Sequence, residues 1–392
     1  MLYYFFVPLV REFTVLNVFN YITFRAAGAA VTSLLLAFII GPWIVRQLRE
    51  RAFHQVVRAG TPDSHQAKSE TPTMGGLIIL LCAIPSVVLW TRLNSKYTWL
   101  ALAVTVGMGA IGLLDDTLKL KQKRAGEKNE GLVERYKLAG QVTIGVLLGW
   151  FLWKYPLSSS LPGASTTLPF YKYVLVLPLV PWLEWIYVVF TTFILVGVSN
   201  AVNLTDGLDG LAAGLSAIAF ATLAVFAYVI GRTDTSRYLG IFYLSGAGEL
   251  TIFCAAMVGA LIGFLWYNAY TAQVFMGDTG ALALGGGLGA VAILLKSEFL
   301  LVFVGFVFMA ETLSVMIQRV EDGVTVAIGQ HEWYGVAASL GRTALETFLN
   351  PWSIIGRLDD VAQDVTSLTL TDKIWEAVEK FARAVSVTKT IS

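Results

Sequence analysis

The sequence predicts an all-α fold, a polytopic transmembrane helix bundle, and three observations carry that prediction. Of its 392 residues 56% are hydrophobic and only 14% charged, against roughly 25% charged in a soluble domain. Mean hydropathy is +0.67. Nearly uncharged runs of about twenty residues recur along the whole length, each enough to cross a hydrocarbon core of about 30 Å. Their continuity excludes a β-barrel, whose strands alternate over about ten residues, and their number excludes a soluble enzyme or a secreted domain. A net charge of +1 gives no sign of a nucleic-acid partner.

Nine spans follow in order: 26 to 45, 74 to 90, 97 to 114, 138 to 153, 183 to 204, 211 to 231, 249 to 266, 281 to 295 and 299 to 317. The opening MLYYFFVPLVREF lacks the basic n-region and small-residue cleavage site of a signal peptide and reads as an interfacial segment. Residues 158 to 182, rich in Ser, Pro, Leu and Val, are too interrupted to span; they read as a small extramembrane hairpin with a strand at VLVLPLV. Cys82 and Cys254 lie inside apolar runs and read as small buried hydrophobes. His54, His65 and His331 show no metal-ligand spacing, and Glu311, expensive in lipid, should face the bundle or a wet cavity.

Short loops rich in Lys and Arg stay in the cytoplasm. Arg46, Arg49, Arg51, Arg58 and Lys68 follow the first span, and Lys119, Lys121, Lys123, Arg124, Lys128, Arg135 and Lys137 follow the third. The N-terminus is therefore expected outside, with the turns after odd-numbered spans in the cytoplasm. The unusual polar clusters fall on those turns: TPTMGG, Asp115-Asp116, NLTDGLDG and GDTG. Four distant pieces of sequence should converge on one membrane face.

Asp115 and Asp116 close the third run, where the helix dipole is already negative and a carboxylate costs up to about 1 kcal/mol. Either a solvated terminus facing Lys119 and Lys121 or a bound divalent cation would balance them. Adjacent helical residues point about 100° apart, so the two need not share one role. In NLTDGLDG, Thr205 or Asp206 could cap the sixth span, but capping leaves Asn203, Asp206 and Asp209 at three-residue intervals unexplained. Asp278 is a plausible cap for the eighth span. TPTMGG reads as a cap, a proline in the first turn and two small residues for close packing.

On Asp115-Asp116, NLTDGLDG and FMGDTG the chain resembles the polyprenyl-phosphate N-acetylhexosamine-1-phosphate transferase superfamily, and TPTMGG favours its phospho-N-acetylmuramoyl-pentapeptide transferase branch. The likeness covers roughly residues 20 to 318. It implies transfer of phospho-MurNAc-pentapeptide from UDP to undecaprenyl phosphate, giving lipid I and UMP for peptidoglycan synthesis. It implies an inner-membrane homodimer whose active site faces the cytoplasm. Asp115, Asp116 and Asp278 would be catalytic, with Mg²⁺ on Asp278 and Asp115 and Asp116 as further metal candidates. Lys137 would contact phosphate. Lys68, Thr73, Asn203, Asp206, Asp209, Asn268 and Phe275 would line the UDP side, Phe275 stacking on the base, and Gln318 matches a family position.

The likeness stops after Gln318. Where the family has a histidine-rich HHHFE loop and a tenth helix, residues 319 to 392 hold one histidine and no convincing span. They are expected to form a divergent cytoplasmic tail, with LTDKIWEAVEKFARAV an amphipathic helix; a reading-frame change would give the same pattern. The alternatives for function are a transferase of another UDP-N-acetylhexosamine, or an inactive homologue lacking the histidine loop. A secondary transporter would carry its acids near the midplane, not at one surface. The charge asymmetry makes residues 118 to 137 cytoplasmic: cysteines placed there should resist an impermeant thiol reagent in intact cells, and rapid labelling would reverse the orientation.

Overall fold

The computed structural model describes residues 1–50, 71–125, 131–158, 161–169, 174–176 and 185–328. Its helices are α1 (Leu2–Phe6), α2 (Ile22–Glu50), α3 (Gly76–Trp90), α4 (Lys96–Ala125), α5 (Glu134–Lys154), α6 (Trp185–Thr205), α7 (Leu211–Ile230), α8 (Thr233–Leu239), α9 (Glu249–Asn268), α10 (Gly277–Leu294), α11 (Leu301–Val304) and α12 (Phe306–Ile328). A short antiparallel pair, β1 (Ser165–Thr167) and β2 (Val174–Val176), sets Thr166 opposite Leu175 where the hairpin was expected. Apart from residues 316–328, the end of α12, the described chain belongs to the unit Met1–Val315.

Among the described residues the nine apolar runs fall largely on helix, and six helices are long and apolar enough to cross a membrane: α2, α4, α6, α7, α9 and α10. The chain is an integral membrane protein. The expected span 299 to 317 is not one rod, because α11 and α12 meet at an 80° bend. Gly305 sits at that break and its amide returns to Leu301 O at 2.7 Å, closing α11. Helix α3 has only 15 residues, and α5, though 21 long, carries charges at both ends. The N-terminal ammonium binds Val88 O and Leu89 O at 3.0 and 2.8 Å, which ties the opening segment to the end of α3.

Helix α10 is the centre of the bundle, packed against α3, α4, α6 and α7. Every residue from Thr279 to Leu294 is buried. The sequence GDTGALALGGGLGAVAIL explains this position, because small residues let neighbouring backbones approach. A Cβ at Gly285 would stand 2.5 Å from Ser199 Cα on α6, and one at Gly286 would stand 2.6 Å from Met108 Cγ on α4. Gly76 at the start of α3 is tighter still, its Cβ position falling on the backbone of Gly280.

Polar groups fasten the other elements. Arg25 of α2 is fully buried and grips Glu249 of α9 through two bonds of 2.7 and 2.9 Å. Past the end of α10, Lys296 Nζ donates to Gly163 O at 2.6 Å and to Tyr187 Oη at 2.8 Å, and Thr166 Oγ1 donates to Glu298 at 2.5 Å. Cys82 and Cys254 are buried free thiols, as expected. Gly76→Ala should lower thermal stability by about 1–3 kcal/mol, the usual range for overpacking. Gly214→Ala, with open space around its Cβ, should be tolerated; equal melting of the two variants in detergent would contradict the packing.

Candidate active site

The four polar motifs meet at the first turn of α10. Helix α4 does not end at the acid pair but runs to Ala125, so Asp115 and Asp116 lie within it, and both are buried. The helix continues because LKLKQKRA carries good helix formers. The two carboxylates face different partners, as their 100° offset about the axis requires.

Asp116 is a cap supplied by a neighbouring helix. Its oxygens accept from the amides of Asp278 and Thr279 at 3.3 and 2.9 Å and from Thr279 Oγ1 at 2.6 Å. The expectation that Asp278 caps this helix is therefore corrected. The helix begins at Gly277, which places Asp278 in its first turn, and no side chain of its own segment caps it. Gly277 has φ +73°, and a Cβ there would stand 3.0 Å from Asp116 Oδ2, so the position suits glycine on both counts. Gly112, one turn before Asp116, lies against the Asp278 carbonyl.

Asp115 faces a cluster of charges. Lys119 Nζ stands 2.9 Å from Asp115 Oδ2 and 2.6 Å from Asp278 Oδ2. Lys137 Nζ, from α5, stands 3.3 and 2.9 Å from the same two oxygens. The Leu132 amide adds a 2.7 Å bond to Asp115 Oδ1. Two ammonium groups thus face two carboxylates, with Asp115 buried and Lys119 partly open to solvent.

The remaining motifs frame this cluster through backbone contacts. TPTMGG is not capped at Thr71 or Thr73: the helix starts at Gly76, and the segment before it lies alongside Phe275 and Met276. Phe275 N donates to Pro72 O at 2.9 Å, and Gly75 N and Gly76 N donate to Phe275 O and Met276 O, both at 2.8 Å. Thr73 and the Phe275 ring are half-buried beside this pairing. Thr205 does not cap α7 either, since its hydroxyl returns to Ala201 O at 2.9 Å within α6. Gly210, at φ +74°, opens α7 without a side-chain cap.

Asn268, buried at the end of α9, fixes two loops at once. Its Oδ1 accepts from Gly210 N at 3.1 Å, and its Nδ2 donates to Val274 O at 3.0 Å. Asp209 receives the Ala272 amide at 3.4 Å, and Asp206 receives that of Gly277. Burial, reinforced by repulsion from Asp278, pushes the Asp206 carboxyl well above the usual carboxylate range. Asn203 is half-buried on α6, three residues before Asp206. Lys68, the side chain of Gln318, the three histidines and the tail helix lie outside the described residues.

Sequence reasoning missed Lys119 and Thr279 as site residues. Lys119 follows Asp115 by four positions, the spacing of a helical ion pair. Thr279 follows Asp278 in GDTG, but its partner Asp116 is 163 positions away, beyond any local signal. A cavity of about 490 Å³ lies elsewhere, lined by Phe226, Ile230, Ile241, Phe242, Ser297 and Leu300 among others, with no charged group among the described lining residues.

The donor set suits a hard divalent cation such as Mg²⁺. Asp115 and Asp278 turn carboxylate oxygens to one point, and among the described residues no group of three His, Cys, Asp or Glu surrounds a metal position. Mg²⁺ commonly takes only one or two carboxylates and fills its octahedron with water and substrate phosphate. Thr279→Val removes one bond of the Asp116 cap. It should lower stability by about 1 kcal/mol and reduce turnover, and unchanged melting and turnover would show the cap to be idle.

Residues 98–296 match the profile of Glycosyl transferase family 4, and residues 68–80 match the phospho-N-acetylmuramoyl-pentapeptide-transferase signature 1. A phospho-N-acetylmuramoyl-pentapeptide-transferase from Gemmatimonas aurantiaca is 68% identical over 319 residues, covering 81% of this chain and 84% of the relative. Proteins of the same name from a Geobacter species and from Syntrophus aciditrophicus are 48% and 47% identical over 320 residues, each covering 81% of this chain and 85% of the relative. Three acids and two lysines gathered from three helices, on a chain of this similarity, place it in the phospho-N-acetylmuramoyl-pentapeptide transferase family.

Proposed function

We propose that the chain transfers phospho-N-acetylmuramoyl-pentapeptide from its UDP carrier to undecaprenyl phosphate, forming lipid I and releasing UMP in peptidoglycan synthesis. One observation carries the reading. The described part of the family signature, Thr71 to Leu80, is hydrogen-bonded through its backbone to the segment leading into Asp278. This pairing supports reading signature and acid cluster as parts of one site.

The physical difficulty of the reaction is electrostatic, since a phosphate monoester attacks a diphosphate and both are anions. Lys119 and Lys137 supply fixed positive charge beside Asp115 and Asp278. The acceptor phosphate, with a second pKa of about 6, is already largely dianionic near neutral pH, so deprotonation demands little. Asp115 positions the acceptor, and Asp116 holds the first turn of α10 so that Asp278 keeps its orientation. Mg²⁺ held by Asp278, with Asp115 beside it, would neutralise charge on the diphosphate as UMP leaves. Lys68, Thr73, Asn203, Asp206, Asp209 and Asn268 serve the UDP side, with Phe275 as the base-stacking ring and Gln318 at the edge of the transferase domain, residues 1–318.

The same reading places the protein in the bacterial cytoplasmic membrane with nine spans, the N-terminus outside, the acid cluster at the cytoplasmic face and a homodimeric assembly. Residues 319–392 form a cytoplasmic tail. With UDP-MurNAc-pentapeptide and undecaprenyl phosphate, purified protein should release UMP in a Mg²⁺- or Mn²⁺-dependent manner. Asp278→Asn should remove most turnover at unchanged melting. Full activity in a chelator would refute the metal role, and UMP release from UDP-N-acetylglucosamine alone would reassign the substrate.

A further inference from the structure

Helix α5 presents Lys137, Gln141, Gly145 and Gly149 at four-residue spacing, hence on one face, and that face packs against α6. The two glycines make the approach close: a Cβ at Gly145 would stand 2.9 Å from Thr192 Cα, and one at Gly149 would stand 3.0 Å from Val188 Cα. Between this seam and Lys137 lies a pair of amides. Asn200 Nδ2 donates to Gln141 Oε1 at 2.8 Å, and Gln141 Nε2 donates back to Asn200 Oδ1 at 3.4 Å. Gln141 is 1% exposed, and Asn200 Nδ2 is also anchored to Val196 O at 2.9 Å.

We propose that the Gln141–Asn200 pair is a positioning device for the transfer reaction, setting the height of Lys137 on α5 against Asn203 on α6 and Asp206 just past its end. The proposal rests on the assignment of those residues to the phosphate site. Gln141 lies one turn from Lys137, and Asn200 lies three residues from Asn203 and six from Asp206, so the pair joins the two helices immediately behind the site. The glycine seam holds the helices close by van der Waals packing, which is less directional than a hydrogen bond. Two reciprocal bonds between side chains of fixed length define one register. Lys137 needs that register, because its ammonium reaches Asp278 at 2.9 Å and Asp115 at 3.3 Å from a helix that contributes no other side chain to the cluster. A shift of about 1 Å at a reacting group can cost roughly 100-fold in rate.

The test uses the full-length protein and compares Gln141→Leu, Asn200→Leu, the double leucine variant and the swap Gln141→Asn with Asn200→Gln, with kcat and KM for each substrate alongside melting. Each single leucine variant should lose about 10- to 100-fold in kcat with little change in KM for undecaprenyl phosphate. The double variant should be no worse than either single one, and the swap, which keeps both amides and their summed length, should recover activity to within about threefold of the parent. Where a leucine variant fails to fold, Gln141→Asn alone, compared with the swap, gives the same reading at conserved polarity. Single variants within twofold of the parent, losses that multiply in the double variant, or a swap as poor as the singles would overturn the proposal. Lys137→Met separates the two levels. If it is inactive while Gln141→Leu is fully active, only the positioning role falls. If it is itself fully active, the site assignment fails and the positioning role with it.

Discussion

The arrangement depends on Asp116, a carboxylate on α4 that caps a different helix, α10. The first amides of any helix have no partner within it, and inside a bundle water cannot readily supply one. Asp116 satisfies two of them and the Thr279 hydroxyl, and its negative charge complements the positive end of the α10 dipole. The contact fixes the angle at which α10 enters the bundle and so the direction in which Asp278 points. The glycines at 112, 76 and 277 leave room for that entry, each placed where a side chain would collide with α10 or with the cap itself.

Asp115, the other half of the acid pair, belongs to an electrostatic arrangement, not a structural one. It shares Lys119 and Lys137 with Asp278, so no charge in the cluster stands alone. Neighbouring residues on one helix thus separate two tasks that one acid could not perform. Asp116 has its oxygens committed to α10, whereas Asp115 and Asp278 share the ammonium groups of Lys119 and Lys137.

Much of this was legible in the sequence, and the failures have physical causes. The apolar runs fall on helices, six of them long and apolar enough to span among the described residues and the ninth run bent, the hairpin lies where its interrupted composition put it, and the acid motifs meet as their common loop face required. The 100° argument separated Asp115 from Asp116 correctly. Capping was misread throughout, at Thr71, Thr205 and Asp278, because a cap is recognised in sequence by local spacing, and the cap that matters comes from a residue 162 positions away. The bend at Gly305 was hidden inside a run that is apolar for five residues on either side of it. Lys119 was read both as a partner of the acid pair at a solvated helix end and as part of the orientation signal, and not as a member of the site.

The composition of α10 has a consequence for how the protein is built. It is the least apolar of the six candidate spans and the most buried, surrounded by protein rather than by lipid. A segment of glycine and alanine gains little from hydrocarbon when it leaves the translocon, so its residence in the membrane depends on a receiving groove. That groove is formed by α3, α4, α6 and α7, all of which precede it in the chain and are synthesised first. Asp278 and its neighbours therefore come together only when the last part of the groove is in place, and assembly of the charge cluster reports completion of the bundle.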